Sequence, residues 1–355
     1  MHNTMSEKLK IGISVGDING IGLEVIIKSL MDNRMLEFFT PIVYGNTKVA
    51  SFHRKAAGVT DFSFHVISSP EQANPKRANI INCWQEDVKI SLGEQNEVGG
   101  KYAFISLQKA TEDLKSGLLD ALVTAPINKH NIQQEGFHFP GHTEFLQETF
   151  SSSDVLMFMI SENLRVGVVT GHIPVKDVSD AITSDKILQK LRIMNSSLQK
   201  DFWIKKPKIA VLGLNPHAGD EGLIGSEDND IIRPTIEKAN QENIYCFGPY
   251  AADGFFAGDA YTKFDAILAM YHDQGLIPFK HIASRNGINY TAGLPVVRTS
   301  PDHGTGYDIA GKNLASHTSF VEAIFEAVHI VKRRREHEVL SENPLSFRRL
   351  SKDRD

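Results

Sequence analysis

The stretch that most constrains the fold of this chain is residues 264–311, where two strand-like segments each end in a cluster of polar residues. Residues 266–270 form an uninterrupted apolar run of the length expected for a buried strand. It is followed by Tyr271-His272-Asp273-Gln274 and then by Gly275, which predicts a glycine turn. A second predicted strand, residues 293–298, ends in the polar run that starts at Arg298. Because ligands of open α/β sheets bind beyond the carboxyl ends of strands, these two strand ends predict a binding site.

Composition excludes several classes of protein. The 355 residues are 41% hydrophobic and 23% charged, which is typical of a globular protein with a large core. The net charge of −5 offers no basic footprint for nucleic acid, and no apolar run approaches the roughly 20 residues that span a bilayer. The first residues lack the apolar core of a signal peptide, so we expect a cytoplasmic protein with neither nucleic-acid nor membrane partners. Cys83 and Cys246 match no ligand motif and are expected to be reduced thiols.

The amino-terminal segment predicts a strand, a glycine-rich turn and a helix. Residues 10–15 alternate in polarity, residues 16–22 place their glycines as GxxxGxG, and residues 23–31 have helical periodicity. The glycine spacing differs from the GxGxxG of the classical dinucleotide-binding fold. Either the turn is a tight connection that requires positive φ, or it faces a ligand. Further short apolar strands, such as residues 120–126, indicate an α/β fold.

A histidine is predicted at the start of a helix in residues 137–150. Gly141 or Thr143 could cap the helix, which places His142 at its amino terminus. Backbone N–H groups and the helix dipole favour an anion at such a position. An ordinary cap with an incidental histidine is the alternative.

Three histidines share one context, because each directly follows a predicted buried strand. His172, His217 and His272 are separated by 45 and 55 residues, which is too far for a local zinc finger. Ligands carried by separate strand ends suit a catalytic metal with an open position for substrate. Imidazoles favour zinc or cobalt over magnesium. A single histidine of this kind would more often be structural.

Cations near these strand ends suggest that the substrate is an anion. Lys280 follows an apolar run and Arg298 ends a predicted strand, which are unusual places for surface charges. A metal beside an anion site could serve oxidation, aldol cleavage or hydrolysis.

Residues 306–313 nearly match a phosphate-binding loop, but Asn313 replaces the required Ser or Thr, which argues against nucleotide hydrolysis. The basic run at 332–335 is expected to be a solvated end of the last helix, complementing its dipole.

At these residues the sequence resembles the 4-hydroxythreonine-4-phosphate dehydrogenase family of pyridoxal phosphate biosynthesis. The resemblance extends from about residue 10 to residue 331. The matching segments are GDINGIG at 16–22, TAP at 124–126, GHTE at 141–144, HIP at 172–174, LNPHAG at 214–219, AMYHDQG at 269–275 and RTSPDHGT at 298–305. The first departs from the usual GDPAGIGPE at Ile18, Asn19 and Leu23.

The resemblance implies a two-domain α/β fold similar to those of isocitrate and isopropylmalate dehydrogenases. The expected domains are residues 1–135 with 285–355, and residues 136–284, with the active site in the cleft between them. A homodimer is implied, with active sites at the subunit interface. The implied reaction oxidises 4-phosphooxy-L-threonine at C3 to 2-amino-3-oxo-4-phosphooxybutanoate, which decarboxylates to 3-amino-2-oxopropyl phosphate. NAD or NADP would accept the hydride, and the divalent metal would be zinc, with cobalt or magnesium as alternatives.

The resemblance also assigns residues to roles. The implied metal ligands, contributed by both subunits, are His172, His217 and His272, and the implied substrate contacts are His142, Thr143, Lys280, Asn289 and Arg298. Candidate cofactor contacts are Asn215, Gly219, Asp302 and Thr305, and candidate catalytic residues are Asp253 and His272.

Three alternative functions stay open: a related dehydrogenase of 4-phospho-D-threonate or 4-phospho-D-erythronate, a metal-dependent aldolase or phosphatase, and a non-enzymatic protein with a structural metal.

Overall fold

The computed structural model describes residues 8–133, 136–162, 164–284 and 286–342. Its strands are β1 Lys10–Ser14, β2 Thr40–Gly45, β3 His65–Ile67, β4 Asn79–Asn82, β5 Ala121–Thr124, β6 Leu156–Ser161, β7 Leu164–Thr170, β8 Ile209–Leu212, β9 Cys246–Tyr250, β10 Ala266–Tyr271, β11 Ile288–Ala292 and β12 Val297–Pro301. Its helices are α1 Gly22–Leu30, α2 Thr47–Ala56, α3 Glu97–Lys115, α4 His142–Thr149, α5 Val178–Ala181, α6 Ser184–Lys200, α7 Arg233–Gln241, α8 Ala252–Ala257, α9 His272–Ala283 and α10 Thr318–Glu342.

The strands form one sheet of twelve, in the order β3-β4-β2-β1-β5-β12-β11-β6-β7-β10-β8-β9. Neighbouring strands are parallel within the first six and within the last four. The pairs β12–β11, β11–β6 and β6–β7 are antiparallel and join the two parallel halves. Parallel strands need long crossovers, here made by helices that cover the sheet. The predicted α/β class is therefore confirmed.

The glycine-rich turn after β1 is a tight connection inside the protein. Residues 16–22 are all buried, and Gly16 has a φ of 67°. A Cβ on Gly16 would lie 2.2 Å from the carbonyl oxygen of Pro126, and one on Gly22 would lie 2.3 Å from that of Val15. Protein backbone already fills the space beside these glycines. The close packing supports the first of the two interpretations of this turn.

The central antiparallel strands have one covered and one open face. Tyr290 of β11 and Thr299 of β12 face α10, where the Thr299 hydroxyl donates to the Ala323 carbonyl. On the opposite face, Asn289 lies between Met159 of β6 and Ser300 of β12 in the ladder. This open face is the floor of the site described below.

The basic run at 332–335 is not the solvated helix end that was predicted, because α10 continues to Glu342. The Arg334 side chain is only 15% exposed, and its Nε lies 2.7 Å from Oδ1 of Asp201, a carboxylate that is 1% exposed. The Tyr290 hydroxyl donates to the same carboxylate at 2.6 Å. The run therefore fixes α10 to the end of α6 instead of serving only to complement the helix dipole.

The predicted division into two domains stays a prediction. Its second boundary falls between α9 and β11, and β11 pairs with β6 across it. No helix in the described part of the chain is long and apolar enough to cross a membrane.

Candidate active site

A cavity of about 300 Å³ lies on the open face of the central strands. Its floor is formed by side chains of β6, β11 and β12, and its walls by the loop after β5, the start of α4, the start of α9 and the loop after β12. The lining side chains that carry polar chemistry are Thr124, Lys129, His142, Thr143, Glu144, His172, His272, Lys280, Asn289, Arg298, Ser300, Asp302 and His303.

The structure brings together most of the residues predicted to form the site. The candidates that line the cavity are His142, Thr143, His172, His272, Lys280, Asn289, Arg298 and Asp302. The candidates that lie outside its lining are Asn215, His217, Gly219, Asp253 and Thr305. Residues more than 150 positions apart in the sequence thus meet in one place within a single chain.

Arg298 is a buried cation whose hydrogen-bond partners are hydroxyls. It is 2% exposed, and it donates to Thr124 Oγ1 at 2.6 Å and to Thr291 Oγ1 at 3.1 Å. Burial lowers the pKa of Arg298 to about 10. A buried charge is costly unless an opposite charge compensates it. This arrangement suits an anionic ligand bound against the guanidinium.

The prediction that Arg298 ends a strand is wrong. It is the second residue of β12, and the preceding segment 293–296 is not part of that strand. Gly293 has a φ of 93° and lies in the turn between β11 and β12. Arg298 consequently projects from the sheet face and not from a strand end.

The start of α4 forms a second wall of the cavity. Gly141 is the amino-terminal cap, which confirms that His142 lies at the start of a helix. Within the described residues the Nε2 atom of His142 is buried and has no hydrogen-bond partner. Burial lowers the pKa of His142 well below its usual range, and the charges of Arg298 and Lys129 lower it further. The imidazole is therefore neutral at physiological pH and its Nε2 is free for a ligand.

His172 and His272 form a pair that lines the same cavity, with ring centroids 5.9 Å apart. Each ring has its Nδ1 beside a carboxylate. The Nδ1 of His172 is 3.6 Å from Oε1 of Glu144, and that of His272 is 2.7 Å from Oδ1 of Asp273. Carboxylates in this position orient metal-binding histidines and leave Nε2 as the ligand. The Nε2 of His172 instead lies 2.8 Å from Nζ of Lys129.

These two imidazoles fit part of a zinc site. A ligating nitrogen lies about 2.1 Å from zinc, so two rings that share one ion have centres about 5–6 Å apart. The described residues of one chain contain no group of three His, Cys, Asp or Glu side chains that could hold a metal. The third predicted ligand, His217, lies outside the cavity lining of its own chain.

His217 lies in an exposed loop with an unusual backbone. Residues 217–221 all have positive φ, between 42° and 79°. Buried Asp228 anchors the start of this loop, because its carboxylate accepts hydrogen bonds from the backbone N–H groups of Leu214 and Asn215. The His217 side chain is thereby presented on the protein surface.

Two further local predictions are wrong. Asp253 is not in a loop, because it lies in the first turn of α8, where it is exposed. His272 begins helix α9, so Gly275 lies in that helix and not in a turn. A Cβ on Gly275 would lie 2.9 Å from Cγ1 of Val166, and the glycine therefore allows α9 to pack closely on β7.

The candidate cofactor contacts lie in two places. Asn215 and Gly219 belong to the loop that carries His217, whereas Asp302 and Thr305 follow β12. Asp302 is 3.1 Å from the Lys280 ammonium, while burial raises the pKa of its carboxyl. Asp302 and His303 also line a neighbouring cavity of about 240 Å³ with Ile21 and Ile309. The Thr305 carbonyl accepts a hydrogen bond from the N–H of Ile21 next to that cavity.

Sequence reasoning missed several residues of the site. Lys129, Glu144 and Asp273 contact the paired histidines, and Thr124 and Thr291 hold Arg298. Thr124 could have been found, since it ends the predicted strand at 120–126. Glu144 and Asp273 are sequence neighbours of predicted residues, whereas no pattern in the sequence marks Lys129.

Comparison with known proteins gives consistent matches. The family model described as pyridoxal phosphate biosynthetic protein PdxA matches residues 37–327. The chain is 50% identical to 4-hydroxythreonine-4-phosphate dehydrogenase of Bacteroides thetaiotaomicron, with 95% of this chain and 93% of that protein covered. It is 38% identical, over 92% of this chain and 99% of the relative, to an Oceanobacillus iheyensis protein provisionally named D-threonate 4-phosphate dehydrogenase.

A solved structure agrees with these matches. The crystal structure of 4-hydroxythreonine-4-phosphate dehydrogenase from Klebsiella pneumoniae superposes with a TM-score of 0.78 at 32% identity, covering 92% of this chain and all of that one.

Proposed function

Because the chain belongs to the PdxA family of pyridoxal phosphate biosynthetic proteins, we propose that it oxidises 4-phosphooxy-L-threonine at C3 with NAD or NADP as the hydride acceptor. The product, 2-amino-3-oxo-4-phosphooxybutanoate, is a β-keto acid and loses CO2 to give 3-amino-2-oxopropyl phosphate. The observation that carries this proposal is one cavity lined both by buried Arg298, whose hydrogen-bond partners among the described residues are hydroxyls, and by the paired histidines His172 and His272.

The phosphate of the substrate is proposed to bind between Arg298, Lys280 and the start of α4. Arg298 would gain the opposite charge that its burial requires. The neutral His142 and the N–H groups at the helix start would contribute hydrogen bonds. Thr143 and Asn289 line the same cavity, and the buried Oδ1 of Asn289 has no hydrogen-bond partner among the described residues. That oxygen could accept a hydrogen bond from the substrate.

His172 and His272 would hold the divalent metal together with His217 of a second subunit. Three imidazoles favour zinc, with cobalt next and magnesium least suited. A divalent ion bound there would lower the pKa of the C3 hydroxyl. Glu144 and Asp273 would keep the two rings oriented, since each carboxylate lies beside an Nδ1.

The nicotinamide cofactor is proposed to lie along the loop after β12. The neighbouring cavity shares the lining residues Asp302 and His303 with the substrate cavity, which supports this placement. Thr305 would contact the cofactor from the same loop. Asn215 and Gly219 are proposed cofactor contacts from the His217 loop. A role for Asp253 in proton transfer stays a prediction, because its exposed side chain lies outside the cavity lining of its own chain.

The proposed homodimer is supported by exposed apolar side chains beside the paired histidines. Val175 is 79% exposed shortly after His172, and Ile277 is 66% exposed in α9, which His272 begins. A second subunit seated there would cover these side chains. It could also bring its own exposed His217 to the pair.

Mixing two inactive variants tests the shared site. His172→Ala and His217→Ala each disable every site of their own homodimers. A hybrid dimer holds one site with both substitutions and one intact site. Random mixing gives half hybrids, so we expect about one quarter of wild-type activity after subunit exchange. No recovery in hybrids verified by mass spectrometry would refute a site shared between subunits.

A substrate panel tests the reaction itself. Reduction of NAD or NADP is followed by absorbance with 4-phosphooxy-L-threonine, with and without a chelator. The expected result is metal-dependent reduction. Stronger turnover of 4-phospho-D-threonate or 4-phospho-D-erythronate would replace the proposed substrate. Product formation without nicotinamide reduction would indicate an aldolase or phosphatase.

A further inference from the structure

Lys129 occupies the position at His172 that a metal ion would need. Its ammonium lies 2.8 Å from Nε2 of His172, the nitrogen that remains for a ligand when Glu144 is beside Nδ1. An imidazole nitrogen has one lone pair, which can accept a hydrogen bond or ligate a metal but cannot do both. The contact with Lys129 and the ligation of a metal by His172 therefore exclude each other.

Among the described residues, the Lys129 ammonium hydrogen-bonds to an imidazole and not to a carboxylate. In the described part of the chain its ammonium makes its hydrogen bond to His172, and the nearest charge that favours the ammonium is the carboxylate of Glu144. The ammonium lines the cavity and forms no salt bridge among the described residues. An ammonium in this situation has a strong tendency to contact an anion that enters the cavity.

The backbone around Lys129 is anchored by hydrogen bonds from side chains of its own loop. The Asn128 side-chain oxygen accepts from the N–H groups of His130 and Asn131. The Asn131 amide donates to the buried carboxylate of Asp17 at 2.7 Å. Movement of the ammonium would therefore come from the four-carbon stem, which needs no rearrangement of the loop.

The stem of Lys129 lies against the start of α4, next to the proposed phosphate position. A Cβ on Gly141, the cap of α4, would lie 3.7 Å from Cε of Lys129. The charges of Lys129 and Arg298 both act on His142, the first residue of that helix. Rotation about the side-chain bonds of the stem would thus move its ammonium away from His172 and towards an anion held by Arg298.

We propose that Lys129 alternates between two partners: His172 when no metal is bound, and the substrate phosphate when the metal occupies His172. This inference rests on the proposed function, since it takes the metal and phosphate positions from it. Lys129 then links the two binding events. Metal binding frees an ammonium for the anion, and an anion removes the competitor of the metal. Such a linkage must be reciprocal.

Cobalt titration of the metal-free protein tests the linkage without measuring turnover. Binding is followed by calorimetry and by the visible absorbance of Co²⁺, with and without sulfate as the anionic probe. Lys129→Met removes the ammonium and keeps an unbranched side chain. Lys280→Met is the matched control, because it removes a cavity lysine whose ion pair among the described residues is with Asp302 and not with His172. Melting temperatures verify that both variants are folded.

We expect Lys129→Met to bind Co²⁺ about tenfold more tightly than wild type, since a competing charge-assisted hydrogen bond is lost. Lys280→Met should show a clearly smaller gain. Sulfate should tighten Co²⁺ binding to wild type and leave Lys129→Met unchanged. Equal gains in the two variants, or an undiminished sulfate effect in Lys129→Met, would overturn the proposal. Wild type that binds no Co²⁺, or His172→Ala that binds it equally well, would instead overturn the proposed metal site.

Discussion

Two buried arginines of this protein should respond to the same substitution in opposite directions. Arg334 forms an ion pair with buried Asp201, whereas Arg298 donates to the hydroxyls of Thr124 and Thr291. Replacing either arginine by methionine removes a charge and keeps much of the apolar stem. Arg298→Met removes a charge that has no carboxylate hydrogen-bond partner among the described residues, since Glu144 acts on it only from a distance. Arg334→Met leaves the Asp201 carboxylate behind.

The magnitudes follow from burial. One pKa unit corresponds to about 1.4 kcal/mol, and burial lowers the pKa of Arg298 to about 10, so its charge costs the empty protein on the order of 3 kcal/mol. Lost hydrogen bonds to the two threonines offset about 1–2 kcal/mol of this gain. Arg298→Met should therefore raise the free energy of unfolding by about 1–2 kcal/mol. Arg334→Met should lower it by about 3–5 kcal/mol, because Asp201 becomes an unpaired buried charge.

Melting temperatures should shift accordingly. Unfolding entropy is about 2.1 cal/mol/K per residue, so for a chain of this size 1 kcal/mol corresponds to somewhat more than 1 °C. We expect Arg298→Met to melt about 2 °C higher and Arg334→Met about 5 °C lower than wild type. A cation whose pKa is lowered by folding destabilises the protein at every pH below that pKa. The difference between Arg298→Met and wild type should consequently stay constant from about pH 6 to 9.

The assay is calorimetric or urea-induced unfolding at one protein concentration, with and without sulfate. Wild type should gain stability from sulfate by mass action, and Arg298→Met should not. Destabilisation of the ligand-free Arg298→Met by more than about 1 kcal/mol would refute the argument that its charge is uncompensated. An unchanged free energy of unfolding in Arg334→Met would also refute the reasoning, because it would mean that a buried carboxylate without its ion-pair partner costs nothing.

Three further substitutions test separate parts of the structure. Gly16→Ala should destabilise the fold by several kcal/mol, because the added Cβ would lie 2.2 Å from the Pro126 carbonyl at a φ of 67°; normal expression and an unchanged melting temperature would contradict this. Tyr307→Phe removes the 2.7 Å hydrogen bond to buried Asp17 and should cost about 1 kcal/mol in urea unfolding, whereas no change would show that the bond contributes nothing net. His172→Ala should abolish metal-dependent turnover and leave circular dichroism unchanged, since its side chain is 35% exposed; full activity after chelation would exclude a catalytic metal there.

Local patterns predicted the elements of the fold well. The segment that became β1 was recognisable by its alternating polarity, and those that became β5 and β10 because buried parallel strands are short, continuous and apolar. Errors occurred where local pattern and tertiary context disagree. The segment 293–298 looked like one strand, but the chain turns at Gly293 and β12 begins only at Val297.

The partners of charged side chains were the feature that the sequence predicted least well. The basic run at 332–335 resembles a solvated helix end, and nothing nearby in the sequence reveals Asp201 as the partner of Arg334. That contact joins residues 133 positions apart. An ion pair of this kind depends on how α10 and α6 pack, which side-chain periodicity does not specify.

The sequence by itself determined the α/β class, the family and most of the polar side chains that line the cavity, because those depend on local periodicity and on motifs of adjacent residues. Only the tertiary structure decided that Arg298 donates its hydrogen bonds to hydroxyls, that Lys129 lies beside the Nε2 of His172, and that His217 lies outside the cavity lining of its own chain. These relations depend on the antiparallel pairing of β6, β11 and β12, which sets distant segments side by side. Contact distances and burial are properties of that packing, and burial is the main reason why the pKa values of Arg298 and His142 are lowered.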